Sequence, residues 1–398
     1  MSRTYDVGGV RRPRPFRIQK FAHVGFNVDD IDASTAFYEG ALGFARTDMI
    51  DLRTVPVIAK GFAPGVDGRL VFTRFAGDHH ALIYMHRDAA AFMGGGDEPD
   101  LTTNQITWQV SSLREIVEAE KYLLDRNVRI VRVGRDMPGG NWHVYFTDPD
   151  GHVFELSYGM EQIGWSGHSR PASMHKPWFG VPELPRISEV EEVNAAEAAG
   201  VDLSAGHRYA GMPGPTVDVD GTLLPRPFWL QALGPVGVFS RVPDEALEFY
   251  TDGLGFTVTE EVSLLGLPVY FMRAGHEHHS LVLAPIELRE KLGWAGSTTN
   301  IYLGVQVGSY AQLRAAVEHL VVQGYERVRV PAELHTGIEY AAHFLDPSGH
   351  RVQLYHAMEH VGWDGRPRPA SRRPTVTEPW PESIESDLVG EPFMGPVW

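Results

Sequence analysis

The chain has 398 residues, 43% hydrophobic and 22% charged, with a formal net charge of −16 and no cysteine. That length predicts two domains of ordinary size, each able to bury a core. Lack of cysteine excludes disulfides and thiolate metal sites and fits a reducing cytoplasm, the expected location. The negative charge disfavours nucleic acid as a partner, no apolar run reaches the roughly 18 residues of a membrane span, and the Arg-rich stretch from Met1 to Arg17 lacks the apolar core of a secretory signal.

The first regular element is a strand over Phe21–Val28. Ala22, Val24, Phe26 and Val28 alternate with His23, Gly25 and Asn27. Asp29-Asp30 then caps a helix over Ile31–Leu42 that stops at Gly43. Strands follow over Leu70–Phe75 and His80–Met85. A second unit of the same kind opens at Asn104, where Ile106, Trp108 and Val110 alternate with Gln105, Thr107 and Gln109. Ser111-Ser112 precedes a helix to Leu124. Strands over Trp142–Thr147 and His152–Tyr158 close the unit around the turn Asp148–Gly151, in which Asp148 and Asp150 read as turn formers.

The same series then returns. Phe37-Tyr38 with Leu42-Gly43-Phe44 recurs as Phe249-Tyr250 with Leu254-Gly255-Phe256. His79-His80 recurs as His278-His279, and Asp148-Pro149-Asp150-Gly151-His152 as Asp346-Pro347-Ser348-Gly349-His350. Met160-Glu161 with Gly164-Trp165 recurs as Met358-Glu359 with Gly362-Trp363, and Arg170-Pro171-Ala172-Ser173 as Arg368-Pro369-Ala370-Ser371. An ordered repeat of this kind sets the architecture. It predicts an α+β chain of four βαβββ-type units paired into two modules, 19–163 and 228–363. A short arm (1–18), a linker rich in Pro, Gly, Ala and Glu (164–227) and a tail (364–398) complete the chain. So long a linker is unusual for a passive loop, and it is expected to lie ordered against the body or a partner subunit.

Helices need one apolar sheet face to pack on, which leaves the other face for chemistry. In the first module that face carries His23 and Asn27, then Gln105, Thr107 and Gln109, then Val153, Glu155 and Ser157. An imidazole, an amide oxygen and a carboxylate there make a facial set for a divalent metal with one side open. A solvated sheet face is the other reading of the alternation alone.

The order of strand histidine, strand ligand and last-strand glutamate, with a Gly-containing hairpin before the glutamate, resembles the vicinal-oxygen-chelate superfamily of glyoxalases, bleomycin-resistance proteins and type I extradiol dioxygenases. Tandem modules, the His-His-Ala/Ser-Leu segments and Tyr145-Phe146-Thr147-Asp148-Pro149-Asp150-Gly151-His152-Val153-Phe154-Glu155 are most similar to two-module extradiol ring-cleavage dioxygenases. The resemblance implies metal ligands His23, Gln105 and Glu155, an acid–base histidine at His80 with His79 on the surface, and an active-site tyrosine at Tyr145. His143 shares the parity of Tyr145 and is expected to assist. Gln105 stands where the family normally has histidine, which weakens the expectation for Fe(II). The family's loop histidine appears as Asp136. The resemblance further implies Fe(II), with Mn(II) as the alternative, O₂ as co-substrate, a small catechol-like aromatic substrate and a homo-oligomer.

In the second module the three ligand positions hold Pro235, Tyr302 and Gln353, and the tyrosine position holds His343. The metal is therefore expected in the first module only, with the second structural or substrate-shaping and His279 retained without a metal partner. Two other functions stay open on these residues: a metal-dependent isomerase or lyase of the same superfamily, and a non-catalytic small-molecule binding protein. The cavity is expected to depend on loops over Phe62–Gly68, Met93–Pro99 and Arg135–Trp142.

Overall fold

The computed structural model describes residues 4–7, 9–55, 62, 65–90, 102–163, 167–208, 214, 216–294, 298–373 and 376–384. The Met93–Pro99 loop and the Gly164-Trp165 pair lie outside these residues. Two compact units are present. One comprises Met1–Ile31, Phe44–Glu98 and Thr103–Gly211; the other comprises Asp32–Gly43, Pro99–Thr102 and Met212–Trp398. Among the described residues no helix is long and apolar enough to cross a membrane.

The first unit holds a sheet of strands β1 (Ile18–Val28), β2 (Ala45–Asp51), β3 (Arg69–Arg74), β4 (Leu82–His86), β5 (Thr103–Val110), β6 (Ile130–Arg135), β7 (Trp142–Thr147), β8 (Val153–Tyr158) and β9 (Trp178–Phe179). Their order across the sheet is β9-β6-β7-β8-β5-β1-β4-β3-β2. Each repeat contributes one parallel pair, β1 with β4 and β5 with β8, and the repeats meet in the antiparallel pair β1 and β5. Val24, Phe26, Ile106, Trp108, Phe154 and Leu156 are all fully buried, as are His23, Thr107 and Glu155 at alternate positions, while Ala22 of the expected apolar face is half-buried. The helix Leu113–Leu124 packs its Ile116, Ala119 and Leu123 against β7 and β8. Its first turn is held by Ser112, whose hydroxyl accepts from the Glu115 amide at 3.3 Å. The linker carries regular structure of its own: its strand β9 adds to the sheet edge at β6, and its helix Glu189–Ala198 opens with a capping box at Ser188.

The second unit repeats this plan with β10 (Leu230–Ser240), β11 (Thr257–Leu264), β12 (Leu267–Arg273), β13 (Leu281–Pro285), β14 (Asn300–Val307), β15 (Arg327–Val328), β16 (Ala341–Leu345) and β17 (Arg351–Tyr355). The order β11-β12-β13-β10-β14-β17-β16-β15 matches the first sheet strand for strand, apart from the added β9.

Two local features differ from the sequence reading. The helix at Ile31 is α-helical only to Thr35 and continues as a π-helix over Ala36–Leu42. The amide of Gly43 reaches the carbonyl of Tyr38 at 3.0 Å, and Gly43 closes the helix with φ 93°, a conformation that favours glycine. The copy at Phe249–Leu254 and Gly255 does the same. Second, the strand expected from His80 begins at Leu82. His79 and His80 sit in the bend before it, because the His79 amide is taken by the Glu161 carbonyl at 2.8 Å.

Residues 32–43 belong to the second unit although the first module encodes them. There the Phe37 ring meets Tyr325 edge-on at 4.8 Å, and the buried Tyr38 hydroxyl donates to Asp346 Oδ2 at 2.8 Å. Tyr38→Phe is expected to cost about 1.5–3 kcal/mol, the range for a hydrogen bond to a charged group, in urea unfolding. An unchanged midpoint would mean that the contact does not hold the helix.

Candidate metal centre

Strand register brings the centre together. His23 on β1 lies opposite Thr107 on β5, Thr107 lies beside Glu155 on β8, and Glu155 lies opposite Tyr145 on β7. Gln105 is two residues along β5, opposite Gly25. His23 and Glu155 have no exposed surface, so the carboxylate must be compensated inside the protein. It is. Its Oε2 meets His23 Nε2 at 3.0 Å and accepts from the Thr107 hydroxyl at 2.6 Å and the Gln105 amide at 3.3 Å. Its Oε1 accepts from Asn141 Nδ2 at 2.6 Å. Burial alone would push this carboxyl up; the charge and hydrogen bond of His23, with help from Thr107, outweigh burial and hold it at about 2.

The donor set suits a divalent cation. Three donors of a facial octahedral set with bonds of about 2.1 Å stand about 3 Å apart. His23 Nε2 and Glu155 Oε2 are 3.0 Å apart, and the Gln105 amide end is 3.3 Å from the same oxygen. A turn of the Gln105 amide about its last bond presents oxygen in place of nitrogen at that point. His23 Nδ1 is buried without a hydrogen-bond partner among the described residues.

His80 stands at the edge of this set, its ring 4.4 Å from that of His23. Burial, and then repulsion from His23 and His79, holds it well below the usual histidine range, so it is neutral. Its Nδ1 is 3.0 Å from His79 Nδ1, and His79 Nε2 is 3.0 Å from Asp48 Oδ2. With His79 Nε2–H donating to Asp48, the Nδ1 lone pair of His79 accepts from His80 Nδ1–H. The lone pair of His80 is then on Nε2. Gly139, at φ 97°, covers the pair so closely that a Cβ there would stand 2.9 Å from His80 Cε1. His79 is thus fully buried, and the surface position expected for it is corrected: it lies in a bend, where neighbouring side chains need not alternate.

Tyr145 and His143 complete the cluster, their rings 4.7 Å apart. Tyr145 donates to Gln105 Oε1 at 3.4 Å, and burial and the Glu155 charge push its phenol well above its usual range, so it stays protonated. Burial pushes His143 down, partly offset by Asp136, whose Oδ1 is 3.9 Å from His143 Nε2. The Arg132 guanidinium lies 4.3 Å over the Tyr145 ring. All six residues expected from the sequence are therefore in one buried cluster. Three others had been given no role at the site: Thr107, Asn141 and Asp48. Thr107 had the right parity, and an acid stands at the same distance after the Phe-Tyr pair in both copies, as Asp48 and Glu260.

Asp148, Asp150 and His152 also bring three possible ligand atoms within 4.8 Å of one another. Here Asp148 already serves the turn. Its Oδ1 accepts from the Asp150 and His152 amides at 3.0 and 2.8 Å, and its Oδ2 meets His152 Nδ1 at 2.9 Å.

The second unit keeps the frame and loses the ligands. His278 and His279 have the same 3.0 Å contact, and His278 Nε2 meets Glu260 at 3.1 Å. At the ligand positions, however, the Tyr302 hydroxyl donates to the Leu334 carbonyl at 2.8 Å, and the Gln353 amide meets His343 Nε2 at 3.0 Å. Pro235 offers no donor atom, and no carboxylate is present in the set.

Two mixed sheets of matching strand order, each with a polar inner face, define an α+β protein of two tandem modules. The chain belongs to the Glyoxalase/Bleomycin resistance protein/Dioxygenase superfamily, whose family model matches residues 20–156 and 232–354. The fold is similar to that of the 2,3-dioxygenase LapB from Pseudomonas sp. KL28, with TM-score 0.57 and 14% identity over 87% of this chain and 95% of that one. It is also similar to homoprotocatechuate 2,3-dioxygenase from Arthrobacter globiformis (0.53, 16%, 91% and 85%) and to a Mn(II)-bound glyoxalase from Novosphingobium aromaticivorans (0.53, 17%, 88% and 85%). A search of curated proteins found no sequence match.

The depressed carboxyl has a pH consequence. In the metal-free protein the charge of Glu155 stabilises the fold fully above the unfolded value near 4.5, and this contribution is lost as pH falls toward about 2. Thr107→Val removes the 2.6 Å donor, so it is expected to cost about 1.5–3 kcal/mol at neutral pH and to move the acid loss to higher pH. Urea unfolding at several pH values checks this; equal curves for both proteins would show that Thr107 contributes nothing to holding the carboxylate.

Proposed function

We propose that this protein is a non-haem Fe(II)-dependent extradiol-type dioxygenase acting on a catechol-like aromatic, with its active site in the N-terminal module. Mn(II) is the alternative metal and O₂ the co-substrate. The observation that carries the reading is the triangle of His23 Nε2, Glu155 Oε2 and the Gln105 amide, with His80 and Tyr145 beside it.

His23, Gln105 and Glu155 would hold the metal. The ion would acidify a coordinated catechol hydroxyl and bring O₂ to the ring. His80, neutral and with its Nε2 lone pair free, takes the proton that the hydroxyl loses and returns it later in the reaction. Asp48 and His79 keep that tautomer in place. Tyr145, still protonated, donates a hydrogen bond to the oxyanion that develops on the substrate, and His143 stands next to it for the same purpose. Asn141 and Thr107 fix the carboxylate, as outer partners of a ligand do. Burial of the whole cluster keeps water from the reacting atoms.

One observation favours a second reading. A ligand set with one carboxylate and a neutral amide is less suited to Fe(II) than one with two histidines, and suits a Lewis-acid isomerase or lyase. Metal analysis of anaerobically purified protein, followed by O₂ uptake with catechols, decides. The dioxygenase reading expects one iron or manganese per chain, lost in His23→Ala and kept in Gln353→Ala, with catechol-dependent O₂ consumption. Bound metal without O₂ uptake would favour the isomerase or lyase. Failure to bind metal even after anaerobic Fe(II) reconstitution would sink both.

A further inference from the structure

The linker that adds β9 to the first sheet also reaches the loop between β6 and β7. Gly139 and Gly140 in that loop stand at φ 97° and 62°, conformations that glycine takes without steric cost and that give the loop little stiffness of its own. Yet the loop carries Asn141, which donates to Glu155 Oε1 at 2.6 Å, and Gly139, which covers His80. Contacts from outside the loop must therefore fix it.

Arg135, at the end of β6, supplies the contact nearest Asn141. Its Nε donates to the Gly140 carbonyl at 2.7 Å, and its Nη1 and Nη2 donate to Oε1 and Oε2 of Glu192 at 2.8 and 2.9 Å. A guanidinium is planar, so a carboxylate that grips both Nη groups also fixes where Nε points. Arg135 is only 8% exposed, and without Glu192 it would be a buried charge lacking its counter-ion. Turning toward water, it would release the Gly140 carbonyl. Glu192 belongs to the linker helix Glu189–Ala198 and also accepts from Arg170 at 3.4 Å. The same linker grips the other end of the loop, where Arg186 lies 4.9 Å over the Trp142 ring and 4.5 Å over that of Trp178.

The second unit separates this path from what the fold requires. It keeps the backbone link at the loop: the Glu359 amide meets the Gly337 carbonyl at 2.7 Å, as the Glu161 amide meets that of Gly139 at 2.8 Å. At the positions of Arg135 and Asn141, however, it has Glu333 and Glu339, and Glu339 pairs with Arg368 at 2.9 Å. The copy that has lost the ligand set thus has neither the arginine nor the amide.

We propose that Glu192 of the linker helix is a positioning residue of the metal centre: through the Arg135 guanidinium and the Gly140 carbonyl it holds the Asn141 amide on Glu155 Oε1. The proposal rests on the reading of His23, Gln105 and Glu155 as metal ligands.

The test is titration of the full chain with Mn(II), read by the EPR signal of the free ion, for wild type, Glu192→Ala, Asn141→Ala and the double variant. Asn141→Ala is expected to weaken Mn(II) binding about tenfold, the low end for an outer partner of a ligand, and Glu192→Ala, one step further out, about threefold or more. The double variant should bind as Asn141→Ala does, because both residues act on one carboxylate oxygen along one path. The low-temperature line shape of bound Mn(II) should change in the same sense in the two single variants. A general loosening of the fold would instead weaken binding by the same factor on either background. Should Asn141→Ala fail to fold, Arg135→Lys, which keeps the charge and loses the fork, takes its place in the cycle. Wild-type affinity in Glu192→Ala overturns the proposal, and so do losses that multiply in the double variant. Either outcome leaves the ligand reading standing, whereas a wild type that binds no Mn(II) removes that reading and this proposal with it.

Discussion

A carboxylate with no access to water organises the first unit. Glu155 sits on the last strand of the second repeat, and its two oxygens collect donors from β1, from two positions of β5 and from the loop before β7. An ionised group in a dry interior is costly unless every lone pair is met. The strands cannot slip against one another without uncovering it, since a one-residue shift turns each side chain to the other face. The same convergence makes a compact array of donor atoms. Structural need and ligand chemistry are met here by one set of residues.

The second unit is built without that charge, and its neighbouring positions differ accordingly. Gln353 needs no counter-charge; Tyr302 turns its hydroxyl to a backbone carbonyl, and Pro235 stands in place of the histidine. Both copies keep the bend of paired histidines, the acid behind them and the positive-φ glycine that covers them, Gly139 in one and Gly337 in the other. The frame that positions His80 is thus more strongly constrained by folding than the ligand set beside it.

Much of this was legible in the residues. Strict alternation on β1 and β5 gave the polar face, and the ordered repeat gave the two sheets. The six site residues follow from parity and resemblance. Where alternation stops, so does legibility. His79 reads as a surface residue only if strand geometry continues back past Leu82, where the chain instead bends. Asn141 comes from an irregular loop whose path depends on contacts with Glu161, which no local pattern encodes. Thr107 lay on the right face, but its closeness to Glu155 depends on the parallel register of β5 and β8, which no local pattern encodes. The π-turns at Tyr38 and Tyr250 leave the helical pattern unchanged and become visible only in backbone hydrogen bonds.

The helix encoded near the start of the chain but packed into the second unit bears on synthesis. Tyr38 leaves the ribosome long before Asp346, its partner 308 residues later. Until then the contacts of Phe37 with Tyr325 and of Tyr38 with Asp346 cannot form. Closing so long a loop carries an entropic cost that shorter local contacts do not, which makes this pairing late in folding. Residues 32–43, though encoded in the first module, should therefore take their final packing only after Asp346 has been made.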